Sequence, residues 1–104
     1  MNRNTVLGVK LPETVRSGKT ASVTIEYEAE ASCTLRIEAE PAGAFAVSPA
    51  TIKASEGRNT RTLHLTFTRK GEADKDAMCS VTFQLGGSRS SRFNALLQVD
   101  PEEP

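Results

Sequence analysis

An antiparallel β-sandwich of seven strands is the fold this sequence predicts, and three observations predict it. Apolar residues recur at every second position through most of the chain, the period of a strand with one buried face. Turn-forming residues interrupt that alternation at intervals of about 8 to 12 residues, the spacing expected of short sandwich strands. No stretch carries the 3.6-residue apolar period of an amphipathic helix.

The clearest element is Thr20 to Glu30, where Ala21, Val23, Ile25, Tyr27 and Ala29 alternate with Ser22, Thr24, Glu26, Glu28 and Glu30. As a helix, those apolar positions would scatter to two sides at about 100° per residue, so a strand is predicted. Before it, Leu7, Val9 and Leu11 give a first strand, Leu7 to Leu11, that stops at Pro12; Val15 extends it after a bend, and Gly18 turns the chain. After it, Cys33, Leu35, Ile37 and Ala39 face inward in a strand from Cys33 to Glu40, which Pro41-Ala42-Gly43 ends. Proline withholds a ladder donor and glycine loosens the backbone, so a turn belongs there. Ala44 to Ala54 reads as short edge structure punctuated by Ser48-Pro49, and Ser55 to Asn59 as a loop. Leu63, Leu65 and Phe67 mark a strand from Thr60 to Thr68; Cys79, Val81, Phe83 and Leu85 mark one from Met78 to Leu85. Phe93, Ala95, Leu97 and Val99 mark the last, Arg92 to Val99, with Asn94, Leu96 and Gln98 outward.

A chain of 104 residues is the size of one domain with a useful core. Residues 1–100 are assigned to it, and the polar, proline-bounded residues 101–104 read as a linker or tail. With 38% hydrophobic and 25% charged residues the chain is expected to fold. Lys plus Arg equals Asp plus Glu at 13 each, so no net field favours nucleic acid or an anionic membrane. No apolar run approaches the roughly 18 residues needed to span a bilayer, and Met1-Asn2-Arg3-Asn4-Thr5 lacks the apolar core of a signal peptide.

Two segments carry a family resemblance. Leu11-Pro12-Glu13-Thr14-Val15-Arg16-Ser17-Gly18, and Val47-Ser48-Pro49-Ala50-Thr51-Ile52 followed by Gly57, resemble bacterial immunoglobulin-like and fibronectin type III-like β-sandwich domains of surface proteins. The resemblance covers nearly the whole chain. It implies an all-β, seven-stranded antiparallel immunoglobulin-like sandwich. The chain departs from antibody-type domains in having no tryptophan on its third strand and no tyrosine two residues before a cysteine on its sixth.

The cysteines test that topology. A Cys33–Cys79 bridge closing so long a loop would stabilise the fold by about 4 kcal/mol on chain-entropy grounds. Yet if their strands are antiparallel neighbours, as in immunoglobulin-like sheets, the two cysteines open opposite ends of the pair. Seven residues span roughly 23 Å at about 3.3 Å each, whereas a disulfide needs Cα atoms within about 7 Å. Two reduced, buried thiols are therefore expected.

No catalytic or cofactor motif emerges, and neither is expected. His64, the single histidine, falls on an outer face with no carboxylate nearby in sequence. No serine sits in a Gly-x-Ser-x-Gly turn, and Gly86-Gly87 lacks the lysine and helix of a phosphate loop. Two isolated cysteines and one histidine do not close a zinc site. Glu72, Asp74 and Asp76 recur at alternate positions and could offer oxygens to calcium only weakly, without the turn glycine and bidentate Glu of a helix-loop-helix site. The candidate partner-binding loop is Ser88-Arg89-Ser90-Ser91-Arg92, a small basic tip where immunoglobulin-like domains bind partners. With 5% aromatics and no tryptophan, stacking platforms for nucleic acid or sugars are scarce.

Two functions follow. One is a non-catalytic structural or adhesive module of a larger bacterial surface or assembly protein, binding neighbouring domains or partners through loops and sheet edges, outside the cell. The other is a stand-alone chaperone-like binding protein using edge-strand addition, for which the unpaired cysteines also admit the cytoplasm.

Overall fold

A computed structural model describes residues 4–70, 78–87 and 92–101. The described residues form two facing sheets and nine strands: β1 (Thr5–Lys10), β2 (Thr14–Arg16), β3 (Thr20–Ala29), β4 (Cys33–Glu40), β5 (Phe45–Ser48), β6 (Thr51–Ala54), β7 (Gly57–Arg69), β8 (Cys79–Leu85) and β9 (Arg92–Asp100). The first sheet has the order β1-β3-β7-β5 and the second the order β2-β9-β8-β4-β6. An all-β sandwich is thus what the alternation encodes. Val23, Ile25, Tyr27, Leu65, Phe67, Val81, Phe83, Leu85, Leu97 and Val99 are fully buried between the sheets, and such burial is the main favourable term in folding.

The expected count of seven strands and the purely antiparallel pairing are both corrected, and sheet crossing explains each. β2 leaves the first sheet and pairs parallel to β9, Thr14 opposite Gln98 and Arg16 opposite Asp100, so the second sheet is mixed. The bend read at Pro12 is that crossing. Ser17 fastens it: its N–H donates to Asp100 O at 2.9 Å, and its buried hydroxyl accepts the Arg69 N–H at 2.8 Å. Gly18 then turns the chain at φ +82°, a conformation that costs other residues dearly.

The segment Ala44 to Ala54 is likewise two strands in two sheets, β5 along β7 and β6 along β4. Phe45 and Val47 point inward, then Ile52 and Ala54 do, so the inward set changes from odd to even at Ser48-Pro49. Pro49 cannot extend the β5 ladder, and the chain passes to the other sheet there.

Two further expectations change. The first strand begins at Thr5, and a bulge between Val6 and Gly8 leaves Leu7 unpaired; Val6 is buried and Leu7 is 41% exposed. One extra residue shifts the alternation by one, which is why Leu7 does not face inward as its spacing from Val9 suggested. β7 starts three residues early, because Gly57, Arg58 and Asn59 pair with Ala29, Glu28 and Tyr27. The Asn59 side chain organises the turn before them, donating to the carbonyls of Ser55, Glu56 and Gly57 at 3.2 to 3.3 Å.

Candidate partner-binding edge

β9 is the element whose surroundings are uneven. Along one side it pairs with β8 over Arg92 to Leu97. Along the other, β2 covers only Gln98, Val99 and Asp100. Among the described residues, then, Arg92 to Leu97 have a strand neighbour on one side alone, a run of about 20 Å at 3.3 Å per residue.

The directions of the backbone groups follow from the bonds to the β2 segment. Gln98 N–H donates to Glu13 O at 3.0 Å, and Asp100 O accepts from Ser17 N–H at 2.9 Å. Even-numbered residues of β9 therefore aim their amides and carbonyls away from β8. Backbone direction alternates along a strand, so Asn94 and Leu96 present theirs at the uncovered edge.

Inward side chains are less buried toward the start of β9. Val99, opposite Val15 of β2, is fully buried, and so is Leu97, which β2 does not reach. Phe93 and Ala95 occupy equivalent inward positions yet are only partly buried; Phe93, like Val9 and Leu11 of the β1 edge and the segment after it, packs against the core. Leu96, on the outer face, is 63% exposed. The β1 edge of one sheet lies close to the β9 edge of the other on this side of the sandwich. The outer face around Leu96 is polar: Asn94 Nδ2 donates to Ser80 Oγ at 2.8 Å and Thr82 Oγ1 at 2.9 Å.

Of the predicted loop, Ser88, Arg89, Ser90 and Ser91 lie outside the described residues. Arg92 is placed: it opens β9, exposed, and its Nε donates to Gln84 Oε1 at 2.8 Å. It therefore stands at the head of the uncovered edge, which sequence reasoning missed. The partly matched strand lengths, with a three-residue run at Val15 against nine residues from Arg92 to Asp100, are the signal that could have found it. Glu72, Asp74 and Asp76 also lie outside the described residues.

The cysteines are unbridged, as their strand positions required. β4 and β8 run antiparallel with Leu35 opposite Leu85 and Glu40 opposite Ser80, so Cys33 and Cys79 sit at opposite ends of the pair. Cys79 is fully buried, and burial pushes its thiol up to about 11 against a weaker opposing backbone hydrogen bond with Glu40. Cys33 is corrected from buried to half-buried; partial burial raises its thiol too. It lines a depression of about 410 Å³ with Ser32, Thr34, Lys53, Ala54 and Ser55. His64 is exposed on the outer face of β7, opposite Ser22.

No family model matches the chain, and no curated protein matches it significantly. Its fold is similar to solved structures, among them the periplasmic chaperone SfaE, at TM-score 0.52 and 16% identity. That match covers 91% of this chain and 56% of the chaperone's, so the chain spans little more than half the length of that relative in fold.

Proposed function

We propose that the chain is a small, non-catalytic, immunoglobulin-like binding domain of chaperone-like kind, which engages an extended segment of a partner protein by strand addition at the β9 edge. The observation that carries this reading is the backbone of Arg92 to Leu97, two thirds of β9, which has no second strand neighbour among the described residues. Such an edge is a template for another chain, where main-chain hydrogen bonds supply affinity. The likeness in fold to a periplasmic chaperone supports the same reading and agrees with a place outside the cytoplasm. The spacer or adhesive module rests on the sequence resemblance alone and ranks second.

A proline at position 96 tests the proposal. Leu96 directs its N–H away from β8, so Leu96→Pro removes an edge donor without removing a bond to β8. The probe is a synthetic eight-residue peptide alternating valine and threonine between terminal lysines. It is expected to shift the amide resonances of Asn94 and Leu96 in the wild type, and to bind Leu96→Pro at least about tenfold more weakly, a cost of about 1.4 kcal/mol. Equal binding by a folded Leu96→Pro would refute edge addition here.

A further inference from the structure

One end of the outer face of the second sheet is cationic, and the strand register assembles it from three elements. Arg36 of β4 lies opposite Gln84 of β8, and Gln84 lies opposite Arg92 of β9, so two arginines flank a glutamine in one row across the sheet. Two strand spacings separate those arginines, about 10 Å. Lys53 of β6 pairs with Thr34, which sets it diagonal to Arg36 at about 7 to 8 Å. All three cations are exposed, and among the described residues none of them has a carboxylate partner. We infer that this end of the face is a docking surface for a short acidic segment of a partner protein, whose carboxylates pair with Arg36, Arg92 and Lys53. The surface lies on the face of the sheet, so it does not depend on what the β9 edge receives.

Two features set this row apart from scattered surface charge. Gln84 orders it: its Nε2 donates to Gly86 O at 3.3 Å, while its Oε1 accepts from Arg92 Nε at 2.8 Å. The guanidinium is thereby held along one edge, and both its Nη groups are left without a partner among the described residues. They are the two donors of a forked contact with a carboxylate, the geometry that suits arginine best. The second feature is relief. Thr34, Arg36, Gln84, Gly86 and Gly87 line a depression of about 460 Å³, and a Cβ at Gly87 would meet nothing within 4 Å. The turn therefore leaves room beside Arg36 and Gln84 for an incoming side chain.

The extent of the patch decides the class of occupant. Glu38 and Glu40 follow Arg36 on the same face of β4, opposite Thr82 and Ser80, so the cationic stretch ends directly after Arg36. A short run of carboxylates fits within that bound. A long uniform polyanion such as a nucleic acid would run onto the two glutamates, where like charges repel. A single small oxyanion would leave part of so widely spaced a set of cations unused.

A short synthetic peptide alternating glutamate with serine is the probe, and its analogue with glutamine for every glutamate is the control. At low salt the acidic peptide is expected to shift the amide resonances of Arg36 and Gln84 and to bind at least about tenfold tighter than the analogue. Added salt is expected to weaken it, because the contact is solvent-exposed. Arg36→Gln is expected to weaken binding about tenfold. Arg58→Gln removes an equal charge from the outer face of the other sheet, where Arg58 pairs with Glu26 at 3.4 Å, and is expected to leave binding unchanged. A folded Leu96→Pro is expected to bind as the wild type does, which separates this face from the β9 edge. Equal weakening by the two arginine variants, their folding confirmed by urea unfolding, would reduce the contact to net charge and overturn the site. Displacement of the peptide by inorganic phosphate at the peptide's own concentration would assign a small-oxyanion site instead. Tighter binding of an oligonucleotide of the same charge would assign a nucleic acid, and loss of binding in Leu96→Pro would assign the edge. Each of these overturns the proposal, as does failure of the acidic peptide to bind.

Discussion

Tyr27 shows how closely single residues are tied into this sandwich. Its ring is fully buried, and its hydroxyl accepts the Ser55 N–H at 3.1 Å, pinning the turn between β6 and β7 to the core of β3. Tyr27→Phe keeps the packing and removes that acceptor. It is expected to cost about 1 kcal/mol in urea unfolding, the usual net worth of one such bond. Cys79 makes a pH-dependent contribution. Its thiol is raised from 9.0 to about 11 in the fold, so the stability that comes from keeping it protonated is complete below pH 9 and is lost as pH rises through about 11. Between pH 8 and 10.5 the urea midpoint of the wild type is expected to fall more than that of Cys79→Ala. Equal falls would show that the thiol does not contribute. At this scale the sequence was legible wherever alternation ran unbroken: the burial of Ile25, Leu35, Leu65 and Val81 follows from their neighbours alone. It failed at Leu7, because a bulge is one added residue whose position depends on the partner strand.

Among elements, the ends of β3 and β8 are joined through Asn4 and Gly86. Asn4 Oδ1 accepts the Glu30 N–H at 3.0 Å. Gly86 holds φ +68°, and a Cβ there would lie 2.6 Å from Asn4 Nδ2. Gly86→Ala combines a left-handed backbone penalty of about 1 kcal/mol or more with displacement of the Asn4 side chain. A loss of about 1 to 2 kcal/mol is expected in denaturant unfolding, and a neutral effect would mean that this turn relaxes freely. Long strands with one dry face, such as β3 and β7, are written into their residues. Short ones are not. β2 and β6 span three and four residues, too few for periodicity to declare a strand, and their sheet is chosen by tertiary pairing. The phase change from Phe45 and Val47 to Ile52 and Ala54 is a sequence signal of the crossing at Pro49 that the reading of this segment as plain edge structure passed over.

For the whole molecule, the pairing of β9 is uneven, and the candidate site lies where it is least complete among the described residues. β2 has crossed to β9 while β1 stays with β3, so among the described residues β9 has a second strand neighbour only from Gln98 to Asp100. Sequence reasoning placed the partner surface in Ser88 to Arg92 because loops are where such domains bind. The edge was missed because it depends on how far one strand covers another, which shows in the sequence only as the short run at Val15 against the long one from Arg92. Amide hydrogen exchange across β9 tests this account most directly. Phe93, Ala95 and Leu97 direct their amides to β8 and should exchange slowly, with Asn94 and Leu96 between them exchanging orders of magnitude faster. Uniform protection from Arg92 to Leu97 would contradict the account, because it would mean that the edge proposed to receive a partner is already occupied.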